Sequence, residues 1–178
     1  GNDPRGIDVG ILSKFPIKNI RTHIFDKEKP TSRSFLFSRD CLEVELEISK
    51  DQSLHILCNH FKSKGYSGSQ KDADKRRGLQ ADKVKEILQN NYDLKKDWVV
   101  VMGDFNDTPD SKPLQQLLST QNLFDVLRLK FADDIEKRYT YFYKKKTQID
   151  FILVSKPLAD LYTDAGVERR GMFELNEL

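Results

Sequence analysis

Two oxygen-bearing side chains, those of Asp104 and Asn106, come directly after the most apolar segment of the chain. Residues 98–102 form an unbroken run of bulky, mostly β-branched residues, which is typical of a central strand buried on both faces. Gly103 then permits a close approach of the backbone. A carboxylate and an amide at the end of such a strand could bind a hard cation or a phosphate-bearing substrate. The alternative is an ordinary turn in which Asp and Asn only redirect the chain.

Two other strand-like segments each carry one polar group suited to chemistry. The apolar segment 53–60 ends in Asn59 and His60, and the segment 148–154 holds Asp150 among apolar neighbours. A histidine can bind or transfer a proton near neutral pH, whereas a carboxylate among apolar residues is costly to bury unless it is paired. Asn59 must face away from His60 in a strand, so we assign it a structural role. Three apolar segments with one such group each indicate a site rather than a core.

Four motifs, in this order, resemble those of the endonuclease/exonuclease/phosphatase family. They lie at residues 5–17, 59–63, 103–107 and 148–155. The family includes pancreatic deoxyribonuclease, abasic-site endonucleases, neutral sphingomyelinases and inositol-polyphosphate 5-phosphatases. Each motif is moderately specific by itself, and four in the family's order make a strong resemblance.

The resemblance implies roles for four catalytic residues and a metal ion. Asp104 would activate the attacking water or help to hold the metal, and Asn106 would contact the phosphate. His60 would bind the scissile phosphate or protonate the leaving oxygen. Asp150 would orient an active-site imidazole, either that of His60 or that of another histidine. The cofactor would be Mg²⁺, with Mn²⁺ as an alternative, and its ligands Asp104 and Asn106.

The resemblance also implies an α+β fold of two packed, mostly antiparallel sheets with outer helices, a four-layer α/β/β/α sandwich. The family's metal-binding Glu, upstream of the Arg-Gly-Ile segment, and its terminal Ser-Asp-His motif are not found in this sequence. We therefore expect one domain over residues 1–178, truncated at both ends and incomplete as a sandwich. We expect this chain alone to be inactive, to bind metal weakly and to form a homodimer through cut sheet edges.

The expected activity is a Mg²⁺-dependent phosphoesterase of the nuclease or phosphatase type. The alternative is a non-catalytic remnant or binding fragment of the same fold. The partner would be a phosphate-bearing substrate, with nucleic acid as one candidate. The net charge of +2 is too small to argue for nucleic acid by itself.

Basic residues follow the His60 segment closely. Residues 62–85 carry an excess of five positive charges, which would attract a phosphate-bearing substrate. The candidates for phosphate contact are Arg76 and Arg77, together with Arg5 in the first motif. The alternative is that these residues form the solvated face of a helix or the edge of a strand.

A calcium-binding loop beginning at Asp104 is excluded by two positions. The sixth position, where such loops need Gly, is Pro109, and the twelfth is Gln115 instead of Glu. Cys41 and Cys58 are the only cysteines. We expect both to be free and buried, although a single bridge would also satisfy the count.

Periodicity predicts the remaining elements. The predicted strands are 7–13, 33–38, 41–49, 53–60, 98–103, 139–143 and 148–154, and the predicted helices are 72–91 and 112–119. Strict alternation in 41–49 predicts an apolar face and an acidic face of Glu43, Glu45 and Glu47 turned to solvent. No apolar run approaches the length of a transmembrane helix.

Overall fold

The computed structural model describes residues 1–64 and 69–172. Eight strands and five α-helices occur in this part of the chain. The strands are β1 (Ile17–Arg21), β2 (Cys41–Ser49), β3 (Gln52–His60), β4 (Trp98–Asp104), β5 (Leu123–Asp125), β6 (Tyr141–Tyr143), β7 (Lys145–Thr147) and β8 (Asp150–Ser155). The helices are α1 (Gln70–Asn91), α2 (Gln115–Leu118), α3 (Val126–Phe131), α4 (Ile135–Arg138) and α5 (Lys156–Asp160). A short 3₁₀ turn, Lys112–Leu114, precedes α2.

Six of the strands form one mixed sheet with the order β1-β2-β3-β4-β8-β5. Only β3 and β4 pair in parallel, and α1 makes the crossover between them. The other two strands form the β6–β7 hairpin. The predicted α+β class is therefore confirmed, with one large sheet, one small sheet and helices.

Helix α1 covers one face of the sheet. Its N-terminus is capped by Ser69, whose hydroxyl accepts a hydrogen bond from the Asp72 N–H. Apolar side chains from α1 pack against the inward-facing residues of β3, β4 and β8 to make the main core. Its members include Ala81, Val84, Ile87, Leu88, Leu57, Val99, Val101 and Leu153.

The opposite face of the sheet is also apolar but is more open. Cys58, Met102 and Ile152 pair across β3, β4 and β8, and Ile152 is 46% exposed. Paired residues on neighbouring strands project from the same face of the sheet. The aligned residues two positions further along these strands therefore lie on this face too, next to the apolar surface. That row consists of His60, Asp104 and Asp150.

The prediction of a solvated acidic face on β2 is wrong for Glu43. Its carboxylate is buried and binds the His23 ring nitrogen Nε2 at 3.0 Å, the Tyr92 hydroxyl at 2.6 Å and Arg21 at 3.3 Å. Burial by itself would lower the pKa of His23, but the carboxylates of Glu43 and Asp26 on its two ring nitrogens outweigh burial and raise it. Alternation predicts the face of a side chain correctly, but it cannot show which groups cover that face.

Several predicted strands and helices are confirmed and two strands are wrong. Segments 41–49, 53–60, 98–103 and 148–154 match β2, β3, β4 and β8 closely, and 72–91 matches α1. The segment 139–143 shortens to β6, and 112–119 becomes a 3₁₀ turn followed by α2. Residues 7–13 and 33–38 are irregular, apart from an isolated bridge of Phe35 to Lys27, because they find no strand with which to form a ladder.

Both cysteines are free thiols, with Cys41 buried and Cys58 half-buried. Within the described ranges, no helix has the length and apolar character needed to span a membrane.

Gly103 is required by the contact between β3 and β4. Its φ is +133°, and a Cβ placed on it would lie 1.9 Å from the carbonyl oxygen of Asn59. Gly78, within α1, has no such constraint, because the nearest atom to an added Cβ is 3.9 Å away in Pro113.

Replacing each of these glycines by alanine should therefore have opposite effects on stability. Gly103→Ala should lower the free energy of unfolding by about 3 kcal/mol or more, since backbone must move. Gly78→Ala should raise it by about 0.5–1 kcal/mol, because alanine loses less entropy in a helix. Urea denaturation followed by far-UV circular dichroism measures both. Equal effects of the two substitutions would contradict the close approach at Gly103.

Candidate active site

His60, Asp104 and Asp150 lie side by side on three neighbouring strands. In the parallel β3–β4 pair His60 is the partner of Asp104, and in the antiparallel β4–β8 pair Asp104 is the partner of Asp150. The imidazole Nε2 of His60 is 3.7 Å from Oδ2 of Asp104, and both side chains are about one third exposed, at 30% and 33%. Strand pairing thus brings together three residues that are far apart in sequence.

The charged form of Asp104 is destabilised by its surroundings. Burial of the carboxylate is the main cause that raises its pKa, to about 6, and the negative charge of Asp150 acts in the same direction. The hydrogen bond from the Asn106 N–H, at 2.8 Å, acts in the opposite direction. His60 is shifted the other way, because burial and the positive charges of Arg39 and Arg5 lower its pKa. Near neutral pH the row therefore favours a neutral imidazole beside a carboxylate that a cation would stabilise.

Asn106 is held in a defined orientation behind Asp104. It adopts a left-handed backbone conformation with φ of 53°, which Asn tolerates better than most residues. Its amide Nδ2 donates to the carbonyl of Phe61 at 3.1 Å. Its amide oxygen accepts no hydrogen bond from the part of the chain that the structure describes, so this oxygen is the end of the side chain that is left for a ligand.

A buried polar network positions the start of β8. The hydroxyl of Thr140 accepts hydrogen bonds from the N–H groups of Ile149 and Asp150 at 3.1 and 3.0 Å. Next to them, fully buried Gln148 accepts two hydrogen bonds from Arg138 at 3.0 and 2.7 Å. Sequence reasoning missed this network. A Gln and an Arg flanking an apolar segment were its only signal.

Arg77 binds groups of the protein itself, in the loop after β4 and in neighbouring segments. Its guanidinium is fully buried, donates to Asp107 at 2.9 Å and to the Lys62 carbonyl at 2.9 Å, and also contacts Asp74. Asp107 is only 2% exposed and is also paired with Lys64. With its donors directed to these groups, Arg77 is not placed to contact a phosphate, unlike the sequence-based expectation.

Arg5 and Arg76, the other two predicted phosphate contacts, line one cavity together with Lys62 and Arg39. Arg5 binds Asp3 through two nitrogens at 3.0 and 2.9 Å. Arg76 donates to the backbone carbonyls of residues 35 and 36. Sequence reasoning missed Arg39, whose signal was weak because it stands in an irregular segment without a motif.

The oxygen donors at the site suit Mg²⁺, which proteins commonly bind through one or two carboxylates while it keeps several waters. The carboxylate of Asp104 and the amide oxygen of Asn106 are hard ligands of this kind, and a bound cation would offset the burial that raises the pKa of Asp104. Residues 1–64 and 69–172 contain no group of three or more His, Cys, Asp or Glu side chains arranged to hold a metal ion. The described residues thus offer Mg²⁺ two oxygen ligands, from Asp104 and Asn106, and leave its other positions to water or substrate.

The chain belongs to the endonuclease/exonuclease/phosphatase family, because the model of that family matches residues 1–165. The resemblance stated from the four motifs is thereby confirmed. No protein with a curated description matches the chain.

Solved structures share the fold. The catalytic domain of human Nocturnin with a bound sulfate anion is 22% identical, with a TM-score of 0.56 over 80% of this chain and 48% of that one. Beta toxin from Staphylococcus aureus, as a double mutant with bound magnesium ions, is 20% identical, with a TM-score of 0.56 over 81% and 51%. Humanized TDP2 from D. rerio is 16% identical, with a TM-score of 0.56 over 78% and 51%. The chain thus spans about half the length of these structures.

The raised pKa of Asp104 predicts a stability change with pH. Its pKa is about 6 in the folded protein against 3.8 ordinarily, so the folded state holds this proton more tightly. The resulting stability is fully present below pH 4 and is lost as the pH rises through about 6. In the metal-free protein, Asp104→Asn should therefore raise the free energy of unfolding at pH 8 by on the order of 1 kcal/mol, after allowance for solvent screening, and leave it unchanged at pH 4.

Chemical denaturation in EDTA at the two pH values measures this difference. The matched control is Asp51→Asn in the exposed turn between β2 and β3, which should change stability little at either pH. A loss of stability in Asp104→Asn at pH 8 would show that the charged carboxylate of Asp104 does not destabilise the folded protein.

Proposed function

We propose that this chain carries the catalytic row of a divalent-metal-dependent phosphoesterase, which hydrolyses a phosphodiester or phosphomonoester bond. The observation that carries the proposal is the in-register alignment of His60, Asp104 and Asp150 on three neighbouring strands, at the end of β3 and β4 and the start of β8. Membership of the family and the hard oxygen ligands beside this row support it.

His60 is proposed to bind the scissile phosphate. Its pKa is lowered by burial and by Arg39, so the neutral imidazole predominates near neutral pH and one ring N–H is available to a phosphate oxygen. The approach of a negatively charged phosphate favours the imidazolium, which would bind a phosphate oxygen more strongly.

Asp104 and Asn106 are proposed to prepare the attacking side. The carboxylate of Asp104, 3.7 Å from His60, can orient a water molecule and accept a proton from it. Asn106 would bind a phosphate oxygen or the cation, since its amide nitrogen is fixed on Phe61. A Mg²⁺ or Mn²⁺ ion held by Asp104 and Asn106 would supply Lewis-acid stabilisation of negative charge on the phosphate.

Asp150 is proposed to act on the far side of Asp104 from His60. The order of the strands places β4 between β3 and β8, so two strand spacings, about 10 Å in all, separate the backbones of His60 and Asp150. Asp150 therefore raises the basicity of Asp104 and is available to orient an imidazole other than that of His60.

The substrate is proposed to be a phosphate ester, and nucleic acid remains one member of that class. A binding module without activity is the second candidate function. It is favoured by the absence of a three-residue metal cluster within the described residues.

Removal of the Asp104 carboxylate separates the two candidates. In the complete protein, Asp104→Ala should reduce Mg²⁺-dependent hydrolysis across a panel of phosphate esters by about 10³-fold, because general base and metal ligand are lost together. Asp110→Ala, in the exposed part of the same loop, is the control and should keep full activity. Full activity of Asp104→Ala with unchanged Mg²⁺ dependence would refute the mechanism, and no activity in the parent protein would favour the binding module.

Double substitutions test the geometry of the row. His60→Ala combined with Asp104→Ala should reduce kcat/KM scarcely more than the worse single change, because the two side chains act as a unit at 3.7 Å. His60→Ala combined with Asp150→Ala should give losses that nearly multiply, since the two side chains do not adjoin. Full coupling of His60 with Asp150 would show instead that these two residues form one catalytic pair.

A further inference from the structure

A strongly basic cavity lies next to the catalytic row. It has a volume of about 500 Å³ and is formed by the N-terminal segment, residues 33–39, helix α1 and the segment that follows β3. Five cationic side chains and one carboxylate line it. The cations are Arg5, Arg33, Arg39, Lys62 and Arg76, and the carboxylate is Asp3.

Within the described residues, two carboxylates pair with three of the four arginines of this cavity. Asp3 is shared between Arg5 and Arg39, at 2.9 and 3.4 Å. Arg76 pairs with the carboxylate of Glu28 at 3.5 Å and gives its other donors to backbone carbonyls. Arg33 is exposed and forms no ion pair with any residue in the described ranges. The cavity therefore has an excess of positive charge that an anion would neutralise.

Arg39 supplies a second and independent indication of a ligand. Its side chain is almost fully buried, at 2% exposure, and its Nη2 donates to the Phe61 carbonyl at 2.5 Å. Its Nε, however, is buried and has no hydrogen-bond partner among the residues that the structure describes. Buried polar groups in proteins are nearly always hydrogen-bonded, so an orphaned guanidinium N–H in the wall of a basic cavity indicates a missing acceptor.

The cavity and the catalytic row are joined through one backbone carbonyl. The carbonyl oxygen of Phe61 accepts hydrogen bonds both from Arg39 in the cavity wall and from Asn106 beside Asp104. Lys62, the next residue, lines the cavity and lies two positions after His60. A molecule with two anionic groups could thus occupy the row and the cavity at once.

We propose that the cavity binds a second phosphate group of the substrate, a phosphomonoester that is not the one being cleaved. This inference rests on the proposed function, because the first phosphate occupies the catalytic row. Several positive charges around one cavity suit a compact dianion with several acceptor oxygens. The phosphates of a polynucleotide, each singly charged and spaced along the chain, would be matched instead by cations along an open track.

Phosphate binding can be tested without any turnover. Inorganic phosphate is titrated into ¹⁵N-labelled Asp104→Ala protein, and backbone amide shifts are followed site by site. Shifts should appear in Asn2, Asp3, Arg5 and residues 33–39. Arg33→Gln should weaken this binding by about threefold to tenfold, because one charged donor is removed from the cavity. Arg128→Gln, an equal loss of charge on an exposed arginine of α3, should leave the affinity unchanged.

Arg33 is the informative position because it is exposed, whereas replacement of buried Arg39 could unfold the protein. Equal phosphate affinity of Arg33→Gln and Arg128→Gln, or no shifts in Asn2, Asp3, Arg5 and residues 33–39, would overturn the proposal. So would a decathymidylate without terminal phosphates that binds the same residues as tightly as phosphate does. These outcomes are independent of the proposed function, which fails instead if Asp104→Ala keeps its hydrolytic activity.

Discussion

The parallel contact between β3 and β4 is the constraint on which the site depends. A Cβ at Gly103 would overlap the carbonyl of Asn59, so only glycine lets the two strands reach full pairing up to their ends. The ladder continues past the strands, because the Phe61 N–H donates to the Asp104 carbonyl at 2.9 Å. His60 and Asp104 are aligned as a direct consequence, and the antiparallel strand β8 adds Asp150 to the same row.

Buried guanidinium groups hold the irregular segments around this row. Arg77 fixes the loop after β4 through Asp107, Arg138 fixes the approach to β8 through Gln148, and Arg39 fixes the end of β3 through the Phe61 carbonyl. A planar guanidinium with five donors can join several chain segments at once, which a lysine cannot do. These arginines take the place of regular secondary structure in the loops that carry the site.

The charges near the site are separated into two regions. Asp104 and Asp150 place negative charge on one side of His60, whereas Arg39 and Arg5 place positive charge on the other and lower the pKa of His60. The first arrangement suits a cation and a water nucleophile, and the second suits an anionic substrate. The imidazole of His60 lies between the two regions, so a bound anion would raise its pKa and a bound cation would lower it.

Hydrophobic periodicity predicted the central strands and α1, because it is a local property of the chain, and the resemblance of the four motifs implied the α+β class. The sequence also singled out His60, Asp104, Asn106 and Asp150 as candidates, since each stands out against apolar neighbours or in a motif. Contacts between distant segments place Asp104 between the other two members of the row and bury Arg77. They also leave the strand-like residues 7–13 without a pairing strand. Strand order and the partners of long polar side chains depend on contacts between distant segments, and local patterns carry no information about those contacts.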